Sequence, residues 1–278
     1  MEIKRDEYLE SLMAQKVPLI QFDLFADIPF LNHGFTTRKG GVSEGIFSTL
    51  NLSFTRGDDP DRVMKNYEIL ADTIGTTTNQ FVASDQTHTT NIRIVKECDA
   101  GKGITRPKDY TDVDGLMTDQ AGLVLVTYYA DCVPLFFVDR KKKVVAVSHS
   151  GWKGTLGKMG LKTIETMCEV FGSEREDILC AIGPSICRDC YEVSEDLRIA
   201  FQGAFKESVL NEIFTPKDNG KYLLDLWAAN EHILSEAGIP AEHIENRRIC
   251  TCCHKELLFS HRGLQGKRGN LAAFIGIR

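Results

Sequence analysis

Residues 127–154 read TYYADCVPLFFVDRKKKVVAVSHSGWKG. An apolar, β-branched run from Gly122 to Tyr129 breaks at Ala130-Asp131-Cys132. A second run, Pro134 to Val138, enters the charged turn Asp139-Arg140-Lys141-Lys142-Lys143. A third, Val144 to Ser148, ends at His149 and the flexible Ser150-Gly151-Trp152-Lys153-Gly154. Short apolar runs bounded by turn residues predict buried strands, and this stretch reads as adjacent strands joined by a solvated basic turn. One cysteine and one histidine therefore stand where strands give way to loops, the place where rigid scaffolds present reactive groups.

Working outward, strand-like pieces precede the stretch at Leu19–Leu24, His33–Thr37, Phe81–Ala83 and Ile92–Val95. Asp58-Asp59-Pro60 predicts a helix start, with a capping acid and proline in the first turn. Val63, Tyr67, Leu70 and Ile74 keep helical spacing, and Gly75 stops the helix. The polar stretch Asp99–Asp112 predicts an exposed loop. Downstream, a helix is expected from Thr155 to about Phe171, with Leu156, Met159, Ile164, Met167 and Val170 inward. A strand at Ile178–Ile182, helices near Ser194–Phe205 and Leu226–Ala237, and a closing strand Leu271–Ile277 follow. Residues 1–16 read as a short helix or a frayed, peripheral end. No repeat, low-complexity tract or linker interrupts the chain, so one mixed α/β domain over residues 1–278 is the simplest account.

The 278 residues suffice for one large domain, and 42% hydrophobic with 26% charged residues is ordinary for a globular enzyme. A net charge of −6 argues against a broad nucleic-acid or anionic-membrane surface. No apolar run is long enough to span a bilayer, and the charged N-terminus lacks a signal-peptide core, so the expected location is cytoplasmic. In that reducing compartment the nine cysteines are not expected to form disulfides.

His88, Cys132 and His149 are the candidate metal ligands. Two imidazoles and a thiolate leave one tetrahedral position open, as in catalytic zinc sites. A bound metal would hold Cys132 as thiolate and acidify water, with Asp131 placed to orient a ligand. Three other readings compete: a packed thiol beside unrelated histidines, a Cys132 nucleophile with His149 or His88 as base, and copper. Copper oxidases with several metal centres need paired His-x-His, and this chain has seven histidines and no such pair. Cys187, Cys190, Cys250, Cys252 and Cys253 form a second group. Structural zinc is the disfavoured reading there, because Cys-x-Cys-Cys is not a usual knuckle. The zinc-deaminase signature also fails, since Cys187 follows isoleucine rather than proline. Three basic, glycine-flanked elements suggest anion binding: Arg38 before Gly40-Gly41, Lys153 at a helix start, and Arg262 near the C-terminus.

The segments HGFTTRKGGVSEGIFSTLNLS, DQTH, DGLMTD, ADCVPLFFVD, VAVSHSGWKG, AIGPSICRDCYEV, DLWAAN and FSHR occur in this order. Together they resemble the YfiH/YlmD laccase-domain family over roughly residues 30–277. That resemblance implies a layered α/β (α+β) sandwich with mixed sheets, similar to cysteine hydrolases, and a zinc-supporting site of His88, Cys132 and His149. It implies phosphorolysis of adenosine, inosine, guanosine and methylthioadenosine, with deamination of adenosine, so the partners are purine nucleosides and phosphate. Copper-dependent polyphenol oxidation and peptidoglycan precursor editing are the alternatives that the family carries, and the oligomeric state stays open. Departures from the pattern are Thr87 and Thr89 around His88, Ser150 and Lys153 after His149, and His261 where the family has tyrosine.

Overall fold

A computed structural model describes residues 2–278, with side chains from Glu7 onward, and Met1 lies outside the described residues. The helices are α1 Glu2–Met13, α2 Pro60–Ile74, α3 Trp152–Leu156, α4 Met159–Phe171, α5 Glu195–Gln202, α6 Glu207–Ile213 and α7 Leu226–Glu236. The strands in the first half are β1 Leu19–Ile20, β2 Leu31–Thr36, β3 Phe81–Ala83, β4 Ile92–Ile94, β5 Gly115–Thr118 and β6 Val124–Tyr129. They continue with β7 Val133–Asp139, β8 Val144–Ser150, β9 Ile178–Ile182, β10 Glu192–Val193, β11 Phe214–Pro216, β12 Tyr222–Leu224, β13 Ile244–Asn246 and β14 Leu271–Ile277.

Two large mixed sheets, ordered β1-β2-β14-β6-β3 and β13-β9-β7-β8-β5-β4, pack face to face, and a small sheet β10-β12-β11 lies beside the helices. Strand alternation builds three cores. Leu125 and Tyr129 of β6 meet Phe136, Val138, Val145 and Val147 of β7 and β8 between the sheets. The opposite faces of β7 and β8, through Leu135, Phe137 and Ala146, pack on α4 and α7. Val124 and Val126 pack on α2 through Val63, Tyr67 and Leu70. The result is a layered α/β sandwich of mixed sheets, as the resemblance implied.

The charged turn behaves as read. Asp139 and Val144 close the β7–β8 hairpin, and residues 140–143 are exposed. The Asp139 carboxylate accepts the N–H groups of Lys141 and Lys142 at 2.8 and 2.9 Å, which pins the turn. The run ending at Tyr129, however, belongs to the other sheet. Ala130-Asp131-Cys132 is therefore the crossover between sheets rather than a turn within one.

Helix α2 starts and stops as expected: Asp59 accepts the N–H of Asp61 at 2.9 Å, Pro60 opens the helix, and Gly75 closes it in the left-handed region. Leu9 and Leu12 of α1 are buried, so the N-terminal segment is a packed helix rather than a frayed end. Two expectations need correction. The helix expected from Thr155 is two helices, because Lys158 adopts a left-handed φ of 54° between them. Met159, Ile164 and Met167 of α4 are buried as expected, but Val170, in the last turn, is 52% exposed. The stretch Asp99–Asp112 is irregular but not uniformly exposed, since Asp99 and Lys102 are buried and paired at 2.7 Å.

Candidate active site

The crossover and the hairpin bring the three predicted ligands together. Cys132 sits at the rim of the sandwich because the chain there passes from one sheet to the other. His149 follows Val145 and Val147 by twos along β8, so its ring faces the inter-sheet core, 5.5 Å from the Tyr129 ring. His88 comes from the loop after β3 and holds a left-handed φ of 67°. The two imidazoles meet edge to face with centroids 4.9 Å apart. The ligand atoms of His88, Cys132 and His149 all lie within 4.8 Å of one another.

Asp114, just before β5, organises this group, and sequence reasoning did not single it out. Its fully buried carboxylate lies 2.7 Å from His149 Nδ1 and accepts backbone N–H groups from Thr87, His88 and Thr89 at 3.0, 3.2 and 2.9 Å. One residue thus orients the His149 ring, through an Nδ1–H donor, and fixes the backbone that carries His88. This is the usual support of a metal-binding histidine, and it leaves Nε2 free for a metal. Asp114 lies in the quoted DGLMTD segment, where an acid before a buried strand was the available signal. Asp131 does not play that part: its carboxylate accepts Thr251 Oγ1 and the Arg262 N–H, both at 2.6 Å.

Electrostatics favour an ionised pair. Burial alone would raise the Cys132 thiol, but His149 and His88 bring it down to about 6. Burial would lower His149, but Cys132 and Asp114 lift it to about 9. Burial would likewise raise Asp114, yet His149 and the backbone donors hold it below the usual carboxylate range. A soft thiolate and two imidazoles converging on one point suit zinc and also copper(I). Gly151 is needed for the approach: a Cβ there would come 2.9 Å from Cys132 Sγ and 3.3 Å from the His88 ring.

Two cavities open onto the triad. One, about 400 Å³, is lined by Arg56, Lys108, Tyr128 and Arg268 together with His88, Cys132 and His149. The other, about 290 Å³, is more apolar, with Trp152, Ile186, Tyr191 and Leu226 beside His261 and Arg262. His88, Cys132 and Arg268 border both. Arg262 therefore reaches the site, stacked over Tyr191 at 5.4 Å. Arg38 and Lys153 line neither cavity. Arg38 donates to the carbonyls of Ser48 and Lys255 at 2.9 Å each and covers the Phe259 ring, and exposed Lys153 lies over Trp152. Arg268 and Arg56, which sequence reasoning missed, carry no motif that would mark them.

Residues 32–278 match the family described as multi-copper polyphenol oxidoreductase laccase. The purine nucleoside phosphorylase YlmD of Bacillus subtilis is 37% identical over 249 residues, covering 88% of each chain. Adenosine deaminase RL5, from an unknown prokaryotic organism, is 36% identical over 246 residues, covering 87% of this chain and 92% of its own. The crystal structure of YlmD from Geobacillus stearothermophilus superposes with a TM-score of 0.87 at 34% identity, covering 95% of this chain and 97% of that one. The family match over residues 32–278, with the relatives' identity and the shared fold, shows that the chain belongs to the multi-copper polyphenol oxidoreductase laccase family, the family of YfiH and YlmD.

Proposed function

We propose that the protein is a purine nucleoside phosphorylase that also deaminates adenosine, with zinc held by His88, Cys132 and His149. The observation that carries the reading is the convergence of these three donors, supported by Asp114, at the mouth of a polar and an apolar cavity. Relatives named purine nucleoside phosphorylase and adenosine deaminase support it from outside the structure. Bound zinc would supply Lewis-acid polarisation at the reacting centre.

The chain's own residues divide the remaining work. Tyr191, Trp152, Ile186 and Leu226 give the planar base an apolar seat. Arg262 holds phosphate from one side, and we extend that role to Arg268 and Arg56 in the polar cavity. Arg268 fits it, because its Nε is buried without a protein partner among the described residues. Phosphate attack on the sugar carbon, as the glycosidic C–N bond breaks and the purine departs with a proton in place of the sugar, would pass through an oxocarbenium-like state, by analogy with glycoside cleavage. Adenosine, inosine, guanosine and methylthioadenosine share the purine and the glycosidic bond that such a site needs. We place the protein in the cytoplasm, where its nine cysteines would stay reduced.

The test is incubation with adenosine, with and without phosphate. Phosphate-dependent adenine release supports phosphorolysis, and inosine formed without phosphate reports the deaminase arm. Oxygen consumption on a phenol by copper-loaded protein, with no nucleoside turnover, would replace this reading with the oxidase.

A further inference from the structure

We propose that Cys187, Cys190, Cys250 and Cys253 hold a structural zinc ion, separate from the His88–Cys132–His149 site. The four Sγ atoms all lie within 4.8 Å of one another. Cys253 Sγ is 3.6 Å from Cys190 Sγ and 4.0 Å from Cys187 Sγ. A tetrahedron with Zn–S bonds of about 2.3 Å has S–S edges of about 3.8 Å, so these spacings already match an occupied site. They are far longer than the S–S bond of about 2 Å in a disulfide.

The folded chain also resolves the spacing that looks irregular in the sequence. The pairs are Cys187-x-x-Cys190 and Cys250-x-x-Cys253, two ordinary knuckles, and Cys252 is a passenger within the second. Each knuckle is a tight turn. The first is the single helical turn Arg188–Cys190, where the Cys190 N–H donates to the Cys187 carbonyl. In the second, the Cys253 N–H donates to Cys250 Sγ at 3.4 Å, and the Cys187 N–H reaches the same sulfur at 3.3 Å. These two N–H groups orient the Cys250 sulfur from outside the cluster, as hydrogen bonds to a ligating group do. Ser185 and Cys250 form a parallel bridge that sets the two knuckles side by side. Packing alone does not explain the group, because Cys253 is exposed and buries little apolar surface. Zinc binding would release the thiol protons to solvent and leave a net negative cluster, flanked in sequence by Arg188 and Lys255.

The position gives the ion a purpose. Between the knuckles and the cavity lie Tyr191, which lines the apolar lobe, and Arg262, whose guanidinium donates to the Glu192 carbonyl at 3.0 Å. On the other side Thr251 donates to Asp131, the neighbour of Cys132. An ion here staples two otherwise irregular segments into one wall of the site.

The experiment uses full-length protein purified under reducing conditions, in wild-type and Cys132→Ala forms, with metal analysis and zinc X-ray absorption. Cys132→Ala removes the thiolate of the triad and should retain one tightly held zinc in an all-sulfur shell at about 2.3 Å. Cobalt loaded into the same variant should give the intense thiolate charge-transfer bands of a tetrahedral S₄ site. A Cys190→Ser/Cys253→Ser variant should lose one zinc per chain and melt at lower temperature. If that variant does not fold, the absorption measurement on Cys132→Ala decides alone. Cys132→Ala protein without metal, a shell of nitrogen and oxygen only, or a disulfide among the four cysteines would overturn the proposal.

Discussion

Asp114 shows how much of this site depends on a residue that ligates nothing. Its carboxylate serves both histidines, so Asp114→Asn should weaken metal binding by about 10- to 100-fold, as read by competition with a chelator. Unchanged affinity would mean that His88 and His149 are held by the fold alone. Gly151→Ala tests the space beside the thiol: the added methyl meets Cys132 Sγ at 2.9 Å, and turnover should fall sharply with only modest loss of stability. At this scale the grouping of His88, Cys132 and His149 was legible, because cysteine and histidine at strand ends advertise their chemistry. Asp114, Arg56 and Arg268 were not, because an acid or arginine acquires its role from neighbours distant in sequence. Arg38 illustrates the reverse, a basic residue beside glycines that spends its donors on two carbonyls.

Elements with strong local signals emerged from the sequence almost intact. Helix α2 is one, with its cap, proline and terminal glycine each doing a separable job. Gly75→Ala places a side chain at a φ of +71° in otherwise open space, and should cost about 1 kcal/mol in chemical denaturation without changing turnover. No loss would mean that the left-handed cap is not what ends the helix. Short strands such as β10 to β13 went unread, since two or three residues carry no periodicity. The assignment of β6 to one sheet and β7 to the other was equally hidden, because alternation reports burial on a face but not which sheet owns it. The helix break at Lys158 escaped notice for a related reason, since nothing in lysine announces a left-handed backbone.

For the molecule as a whole, acid should act through a histidine remote from the triad. Burial, with Arg247 and Arg278 nearby, pushes His33 from 6.5 down to about 4. The unfolded chain takes up the proton near 6.5 and the folded chain only near 4, so stability is lost as pH falls between those values. The loss from this group is about 3 kcal/mol by linkage, and His33→Gln should flatten that part of the profile in urea titrations at pH 7 and pH 4.5. A wild-type slope retained in the variant would assign the acid sensitivity to other groups. The same layered packing that buries His33 sets His88, Cys132 and His149 at the sandwich rim, where the proposed reaction would run. The most direct test is adenine release from adenosine by wild-type and Cys132→Ala protein in the presence of phosphate. Phosphate-dependent release by the wild type, abolished in a variant with a near-native melt, is the predicted result. Full turnover by Cys132→Ala, or none by the wild type, would contradict the account.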